Sequence, residues 1–312
     1  MNGLEISKRY FTACGLPMLQ KEFSDYTQVI AAGLAGQGSE CLGFDDEISR
    51  DHDWGPGFCL WLPQKYYDEI GGALQLAYDA LPGCNGGCTD SFYTPERRKR
   101  VGVHSIEEFY SSLIGYPRAP DHNLEWLRVP EHYFAMSVNG EVFCDPLGEF
   151  TKIRNILAGF FPEDVLKKKL AGKCAAMGQA GQYNYARCIQ RRDFAAAALT
   201  CSRFVTAALG ALYLLNGRYM PFYKWVFRGA EELSEPKGCA EELKKLILLS
   251  DVNESVKKAL LIERVCIQIS KEVIRRGWSR AGDSFMQFHA EQIMEHITDP
   301  VLRSLPVMAG ES

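Results

Sequence analysis

The 312-residue sequence has little net charge. Lysine and arginine number 35 and aspartate and glutamate number 39, so the formal net charge is −4. Tight non-specific binding to nucleic acid or to anionic lipid needs several cationic contacts to phosphate groups. The charge therefore favours a small, diffusible substrate over a polymer, and nucleic acid is not an expected partner.

The sequence also lacks a secretory signal and an uninterrupted apolar segment of bilayer length. The N-terminus, MNGLEISKRY, has no apolar core. The stretch Ala195–Leu215 approaches bilayer length, but Arg203 lies at its middle, where a charge costs about 2.5–3.5 kcal/mol on insertion scales. We interpret it as a buried helix of a bundle and expect no membrane contact. An odd cysteine count of 11 without a signal indicates reduced thiols, so we expect a cytoplasmic protein.

The cysteines follow no regular spacing. The one close pair, Cys84 and Cys88, would need two further ligands to hold zinc, and no second pair follows at the spacing of a zinc finger. His104 could supply one ligand, but a loop that happens to hold two thiols is the favoured interpretation. The basic run 97–100 is interpreted as a solvated loop, with an RNA contact as the alternative.

The apolar pattern predicts an α+β protein in two parts, a mixed-sheet domain at 1–160 and an all-α helical bundle at 161–312. In the first part, strands are predicted over Gln28–Ala35, Asp51–Leu62 (bent or interrupted at Gly55–Gly57) and Glu141–Cys144, and helices over Lys8–Gln20, Lys65–Leu81, Ile106–Ile114 and Glu149–Leu157. Pro130–Val138 admits either helix or strand. Beyond residue 162 the pattern predicts helices over 163–175, 191–216, 239–249, 254–276 and 283–297.

The segment Gly33–Gly57, GLAGQGSECLGFDDEISRDHDWGPG, is the most informative. A predicted strand ends in Gly36-Gln37-Gly38-Ser39, where glycines let backbone amides approach an anion and Ser39 adds a hydroxyl group. In Asp51-His52-Asp53 the two carboxylates share one side of an extended strand, because side chains alternate. Such a pair repels itself unless a cation lies between, and Mg²⁺ accepts one or two carboxylates plus phosphate oxygens. Nucleotidyl transfer requires such a phosphate cradle beside a divalent metal.

Gly38-Ser39 followed by Asp51-His52-Asp53 resembles the signature of the nucleotidyltransferase superfamily, which includes DNA polymerase beta and the kanamycin and lincosamide nucleotidyltransferases. The string GSECLGFDDEISRDHDWGP is similar to a bacterial family of uncharacterised nucleotidyltransferase-like proteins, and the similarity extends through GEVFCDPLGEFTKIR and RFVTAALGALYLLNGRYMPFYKW. The resemblance implies a nucleotidyltransferase-like catalytic domain followed by a helical domain that closes over the nucleotide. It is also compatible with a homodimer, because members of the superfamily often share a site across one.

The resemblance implies roles for individual residues. Asp51 and Asp53 would bind Mg²⁺ or Mn²⁺, and a third acid on a later strand would be a further ligand or the base. Asp145, which follows the predicted strand Glu141–Cys144, is the positional candidate; a turn-forming aspartate before Pro146 is the alternative. Gly38 and Ser39 would hold the nucleotide. Lys224 is the nucleotide-binding candidate of the helical part, with an aromatic packing corner as its alternative.

These features predict a metal-dependent enzyme that transfers a nucleoside monophosphate from ATP or another NTP to a small-molecule hydroxyl group, with release of pyrophosphate. Two alternatives stay open: modification of a protein or tRNA by the same chemistry, and a non-catalytic nucleotide or metabolite sensor. The paired acids favour catalysis, since a pure binder has no need of repelling carboxylates. The motif does not identify the nucleotide or the acceptor, because specificity depends on the shape of the pocket.

Overall fold

The computed structural model describes residues 2–50, 55–82 and 100–311. Contacts divide the chain into two compact units. The first comprises Met1–Pro120 and Tyr133–Gly159, and the second comprises Asp121–His132 and Phe160–Ser312. A mixed sheet with helices is followed along the chain by helices, so the predicted α+β class is confirmed.

A four-stranded mixed sheet forms the centre of the first unit. The strands are β1 (Ala31–Leu34), β2 (Cys59–Leu62), β3 (Gly102–Ser105) and β4 (Glu141–Cys144), in the spatial order β3-β2-β1-β4. β1 is antiparallel to β2 and to β4, whereas β2 and β3 are parallel. Every residue of β1 and β2 is buried, which explains why both strands consist of small and apolar residues without polar alternation.

The described α-helices follow in chain order. They are α1 (Gly3–Tyr10), α2 (Leu16–Glu22), α3 (Ser39–Leu42), α4 (Gln64–Asp79), α5 (Ile106–Ile114), α6 (Asn123–Arg128), α7 (Glu131–Val138), α8 (Glu149–Ala158), α9 (Glu163–Met177), α10 (Ala186–Gln190), α11 (Phe194–Leu215), α12 (Val226–Ala230), α13 (Cys239–Leu248), α14 (Ser255–Arg275), α15 (Met286–Glu295) and α16 (Pro300–Ser304). Two π-helical turns, Phe11–Gly15 and Gly178–Tyr185, join α1 to α2 and α9 to α10.

The two faces of the sheet are covered by different helices. On one face, Leu60 of β2 belongs to an apolar cluster with Leu74 of α4 and Phe11. On the other face, the indole ring of Trp61 stacks on Phe150 of α8 with 3.9 Å between ring centroids. Burying both faces of a sheet between helices is a stable layered arrangement for a small domain.

Several local predictions match the structure. α5 covers Ile106–Ile114 as predicted, because the Ser105 hydroxyl accepts a hydrogen bond from the Glu108 amide (3.0 Å) and Gly115 ends the helix with a φ of 78°. β4 also has the predicted bounds, and the ambiguous segment Pro130–Val138 forms α7. β2 begins only at Cys59, after the interruption expected at Gly55–Gly57. Residues 51–54 lie outside the described residues.

α9 is the central helix of the second unit and carries buried lysines. The Lys168 ammonium group donates hydrogen bonds to the carbonyl oxygens of Leu305 (2.7 Å) and Pro306 (3.0 Å). The Lys173 ammonium group donates to the carbonyl oxygen of Glu311, and that of Lys167 to the carbonyl oxygen of His296 at 3.0 Å. These amines therefore tie the C-terminal segment to α9, because a buried ammonium group requires oxygen partners.

α11 is long and apolar enough to cross a membrane by length and composition alone. However, 67% of its most apolar window is buried inside the structure. Ala208, Leu212 and Leu214 are almost completely inaccessible, and such burial within the protein is typical of the core helix of a bundle.

Candidate functional site

One end of the sheet gathers the segment that the sequence singles out. β1 ends at Leu34, which pairs with Glu141, the first residue of β4. The first residue of β2, Cys59, pairs with Gly33 of β1 and with Gly102, the first residue of β3. The end of β1 and the beginnings of β2, β3 and β4 therefore lie side by side. We call this edge the turn end of the sheet.

The glycine turn, Gly36–Ser39, follows β1 at the turn end. Gly36 has a φ of 102° and Gly38 a φ of 127°, values that residues with a Cβ rarely adopt. Ser39 begins the short helix α3 and is partly exposed. No hydrogen bond joins its hydroxyl group to another side chain in the described part of the chain. The turn thus presents a hydroxyl group, while the side chains of Arg100 and Glu40 lie against its backbone at Gly38.

The segment Asn139–Gly140 holds the glycine turn in place. The Asn139 side chain donates to the Gly36 carbonyl oxygen (2.7 Å) and accepts from the Gly36 amide (2.8 Å). The Gly140 amide donates to the Cys41 carbonyl oxygen (2.7 Å), and the Arg154 guanidinium donates to the Asn139 carbonyl oxygen (2.7 Å). Arg154 of α8 thus holds Asn139, and Asn139 in turn holds Gly36. These hydrogen bonds fix the position of the backbone groups of the turn.

Arg100 lies against the glycine turn, a position that sequence reasoning missed. Its Nη2 is 2.5 Å from Oε1 of Glu40, and the side chains of this pair are 16% and 12% exposed. Its Nε donates to the Gln37 carbonyl oxygen at 3.1 Å. The interpretation of the basic run as a solvated loop is therefore wrong for Arg100, the one member of the run within the described residues. Its partners are about 60 positions away along the chain, and no local pattern indicates such a contact.

A cavity of about 340 Å³ opens beside the glycine turn. Apolar side chains of Ala35, Phe109 and Leu113 form part of its wall, and Gln37, Arg100 and His104 supply polar groups. The volume is near the lower end of the range for small-molecule sites, about 300–1,000 Å³. The cavity lies entirely within the first unit, so the glycine turn and a ligand-sized space form one candidate site.

His104, a half-buried residue, forms part of the wall of this cavity. Its Nε2 is inaccessible to solvent and has no hydrogen-bond partner among the described residues. Burial lowers the pKa of His104 to about 4, since removal from water disfavours the charged form. The ring is therefore neutral at physiological pH. Its candidate role as a zinc ligand involves Cys84 and Cys88, which lie outside the described residues.

Asp145 lies at the opposite end of β4 from the glycine turn. It follows Cys144, which pairs with Ala32 near the beginning of β1, whereas the turn follows the end of β1. At about 3.3 Å per residue, the length of β4 separates the two ends by about 10 Å. The register therefore places Asp145 and Ser39 at opposite ends of β1, whereas the resemblance implied a metal ligand or base and a nucleotide contact of one active site.

The Asp145 carboxylate instead binds backbone amides. Oδ1 accepts from the Gly148 amide (3.0 Å) and Oδ2 from the Thr151 amide (2.8 Å). Gly148 is the N-cap residue of α8 and has no side chain of its own for capping. Asp145 therefore satisfies an amide that the first turn of a helix leaves unpaired. This is the turn-forming role that the sequence left open as the alternative.

The other predicted site residues are Asp51, Asp53 and Lys224. Asp51 and Asp53 lie outside the described residues. Lys224 belongs to the second unit, where its ammonium group lies 5.1 Å from the centroid of the Trp225 ring. No group of three or more His, Cys, Asp or Glu side chains within residues 2–50, 55–82 and 100–311 could hold a metal ion. The described donors alone thus do not form a site for a Mg²⁺ ion.

The cysteines at the turn end are protonated thiols. The nine cysteines of the described residues are free, and Cys41 and Cys59 are fully enclosed. Burial raises the pKa of Cys59 to about 12 and that of Cys41 well above its usual value. Thiols with raised pKa values are poor nucleophiles, so these two residues serve as small core side chains.

Two comparisons with known proteins found similarity, one to a family model and one to a solved structure. The sequence model of a family described as "Domain of unknown function (DUF4037)" matches residues 126–226. No curated protein matches the chain. Among solved structures, a nucleotidyltransferase-like protein from Exiguobacterium sibiricum 255-15 is similar at 13% identity, with a TM-score of 0.37, over 86% of this chain and 77% of that chain. A likeness this weak does not extend to activity.

Proposed function

We propose that this protein is a nucleotidyltransferase that moves a nucleoside monophosphate from an NTP to a hydroxyl group of a small molecule and releases pyrophosphate. One observation carries the proposal: the glycine turn lies beside a ligand-sized cavity at the turn end, where β2 begins. In the sequence, Asp51 and Asp53 precede β2 closely, in the order and spacing of the nucleotidyltransferase signature. The motif and the turn geometry support each other.

The glycine turn supplies the proposed phosphate contacts. Gly36 and Gly38 carry no side chains, which lets phosphate oxygens approach the backbone closely. The Gly36 amide is bound to Asn139, so the amides of Gln37, Gly38 and Ser39 would be the donors. The Ser39 hydroxyl would add a donor. Asn139 and Arg154 hold the turn through hydrogen bonds to and around Gly36, and preorganised donors stabilise developing charge at little reorganisation cost.

Asp51 and Asp53 are the residues that we propose to hold Mg²⁺ or Mn²⁺. A bound divalent ion would neutralise charge on the phosphates during transfer. Asp145 is not included, because its carboxylate is engaged by the amides of Gly148 and Thr151. We assign no general base.

Pyrophosphate release tests the proposal. The protein would be incubated with Mg²⁺, each of the four NTPs in turn, and a small-molecule extract as the acceptor source. We expect release with at least one NTP and a loss of about 100-fold or more for Asp51→Asn or Asp53→Asn, since such changes remove charge stabilisation of several kcal/mol. Asp68→Asn, an exposed carboxylate change on α4, serves as the control and should retain activity.

Two results would contradict the proposal. One is a folded wild-type protein that releases no pyrophosphate above the blank with any NTP. The other is full activity in the Asp51→Asn and Asp53→Asn variants. Activity that appears only with the macromolecular fraction of a lysate would instead identify a protein or tRNA as the acceptor.

A further inference from the structure

The polar groups of the cavity beside the glycine turn are unsuited to phosphate. Its cationic side chain, Arg100, has its charge compensated by Glu40 at 2.5 Å. Glu108 also lines the cavity and adds a carboxylate, which would repel an anion. A phosphate group inside this space would therefore meet the Glu108 carboxylate and a cation that is already paired.

The same cavity is suited to a flat, uncharged ring. Phe109 forms part of its wall, and its ring packs against Trp61 in a T-shaped arrangement with 5.4 Å between centroids, so Phe109 is held rigidly. Leu113 and Ala35 add apolar surface, and all three side chains are buried. Aromatic and aliphatic walls favour planar rings, which bury a large apolar area at a small entropic cost.

His104 adds one directional contact to these apolar walls. Its Nε2 is buried without a partner among the described residues, and leaving such an atom unpaired costs about 1–3 kcal/mol. A heterocycle that hydrogen-bonds this nitrogen, after the imidazole turns it towards the cavity, would recover that cost.

We propose that this cavity binds an uncharged aromatic heterocycle, and that Phe109, Leu113 and His104 select the ring. This inference deepens the proposed function: if the protein is a nucleotidyltransferase, the ring is the base of the NTP, whose phosphates then extend to the glycine turn. Glu108 at the cavity favours rings that carry N–H donors.

Nucleosides without phosphate test the inference separately from the proposed function. Binding of adenosine, guanosine, cytidine and uridine would be measured by titration calorimetry without metal. We expect at least one to bind. Ser112→Trp, at an exposed position of the cavity wall, should obstruct the space and weaken binding by about 10-fold or more, a loss of about 1.4 kcal/mol. The control Ser111→Trp changes the neighbouring residue, which is not part of the wall, and should leave the affinity within about 2-fold.

His104→Phe provides a second variant that keeps the ring shape and removes the hydrogen bond. It should weaken nucleoside binding by about 5-fold or more, the value of one hydrogen bond of about 1 kcal/mol. Binding of tripolyphosphate with Mg²⁺, which reports on the glycine turn, should be unchanged in both Ser112→Trp and His104→Phe.

The possible outcomes separate the two proposals. Nucleoside binding that is lost in Ser112→Trp supports the inference, even if no NTP is ever turned over. If no nucleoside binds, or if Ser112→Trp binds as tightly as the wild type, the inference is overturned. If the inference is overturned but tripolyphosphate binds, the proposed function is still supported, with the base of the NTP bound outside this cavity.

Discussion

Gly38 combines an unusual backbone conformation with close contacts. Its φ is 127°, and a Cβ built there would collide with Nη2 of Arg100 and lie 2.6 Å from Oε2 of Glu40. We predict that Gly38→Ala lowers the free energy of unfolding by about 2–4 kcal/mol, because backbone strain of about 1–3 kcal/mol adds to displacement of the ion pair. Urea denaturation measures this change.

Gly43→Ala is the matched control for that substitution. Gly43 also has a positive φ, 71°, but a Cβ there would meet no atom within 4 Å. Gly43→Ala should therefore lower the free energy of unfolding only through backbone strain, by about 1 kcal/mol. Equal losses in the two variants would show that the Arg100–Glu40 pair is not constrained by the turn.

The burial of His104 makes a prediction about pH. Its pKa falls to about 4 in the folded chain because burial disfavours the charged imidazolium, whereas the unfolded chain has a histidine pKa of about 6.5. Between these values the unfolded state binds more protons, so stability falls as pH is lowered from about 6.5 towards 4. From pH 7 to pH 5 the expected contribution is a loss of about 2 kcal/mol.

Urea denaturation of the wild type and of His104→Gln would be measured at pH 7 and at pH 5. The difference between the two proteins gives the contribution of His104 to the free energy of unfolding. The variant removes the titrating group, so its loss of stability between pH 7 and pH 5 should be about 2 kcal/mol smaller than that of the wild type. The same loss in both proteins would mean that His104 is accessible to protons in the folded state.

Asp145 acts at the scale of an element, as the cap of α8. We predict that Asp145→Ala lowers stability by about 0.5–2 kcal/mol, the usual cost of losing a helix cap. Asp145→Asn keeps one acceptor oxygen and should lose less. Because the carboxylate is bound to the amides of Gly148 and Thr151, the folded Asn variant should retain pyrophosphate release. An Asn variant that is stable but inactive would restore the catalytic role inferred from the sequence.

Replacing a helical glycine by alanine should lower the stability at Gly181 of the second unit and raise it at Gly72 of the first unit. In the π-helical turn Gly178–Tyr185, a Cβ at Gly181 would overlap the Phe204 ring and lie 2.9 Å from Ile262 Cγ2. Gly181→Ala should therefore cost about 1–3 kcal/mol through overpacking. Gly72, inside α4, has open space around it, so Gly72→Ala should stabilise by about 0.5–1 kcal/mol. Thermal denaturation of both variants checks this, and destabilisation by Gly72→Ala would contradict the assignment of an open helical site.

The elements whose bounds were predicted correctly begin or end at residues that are typical of such positions. α5 has a capping serine and a terminal glycine, and β4 follows an Asn-Gly turn. The turn Gly178–Tyr185 was not recognised as helical, because Gly178 and Gly181 are poor helix formers that are required here by close packing against Gln287 and Phe204. Tertiary packing overrides helix propensity at such positions.

Side-chain partners across long stretches of chain were the least predictable part of the candidate site. The glycine turn could be located from its glycines alone. The pairing of Arg100 with Glu40 and the wall formed by Phe109 and His104 depend on strand order, which places β3 next to β2 and one strand away from β1. The sequence contains no periodic pattern that encodes this order, so these residues were found only in the structure.

At the scale of the whole molecule, two compact units were expected from the disappearance of strand patterns near residue 160. The structure adds that Asp121–His132 packs with the second unit. Glu131 explains part of this, since its side chain is 3% exposed and lies 3.8 Å from the Lys173 ammonium group of α9. This contact joins a buried carboxylate to a buried amine that is distant in the sequence. A boundary placed at one residue of the sequence does not reveal such a contact.

The central claim is that the chain binds an NTP through the glycine turn and a metal held by Asp51 and Asp53. The most direct measurement is titration calorimetry of ATP, GTP, CTP and UTP with Mg²⁺ against the wild type and the Asp51→Asn/Asp53→Asn double variant, with circular dichroism to verify folding. We expect that at least one NTP binds the wild type and that the double variant binds it about 10-fold or more weakly, a loss of about 1.4 kcal/mol. A folded wild type that binds none of the four, or a double variant with unchanged affinity, would show that the chain does not bind NTPs in this way.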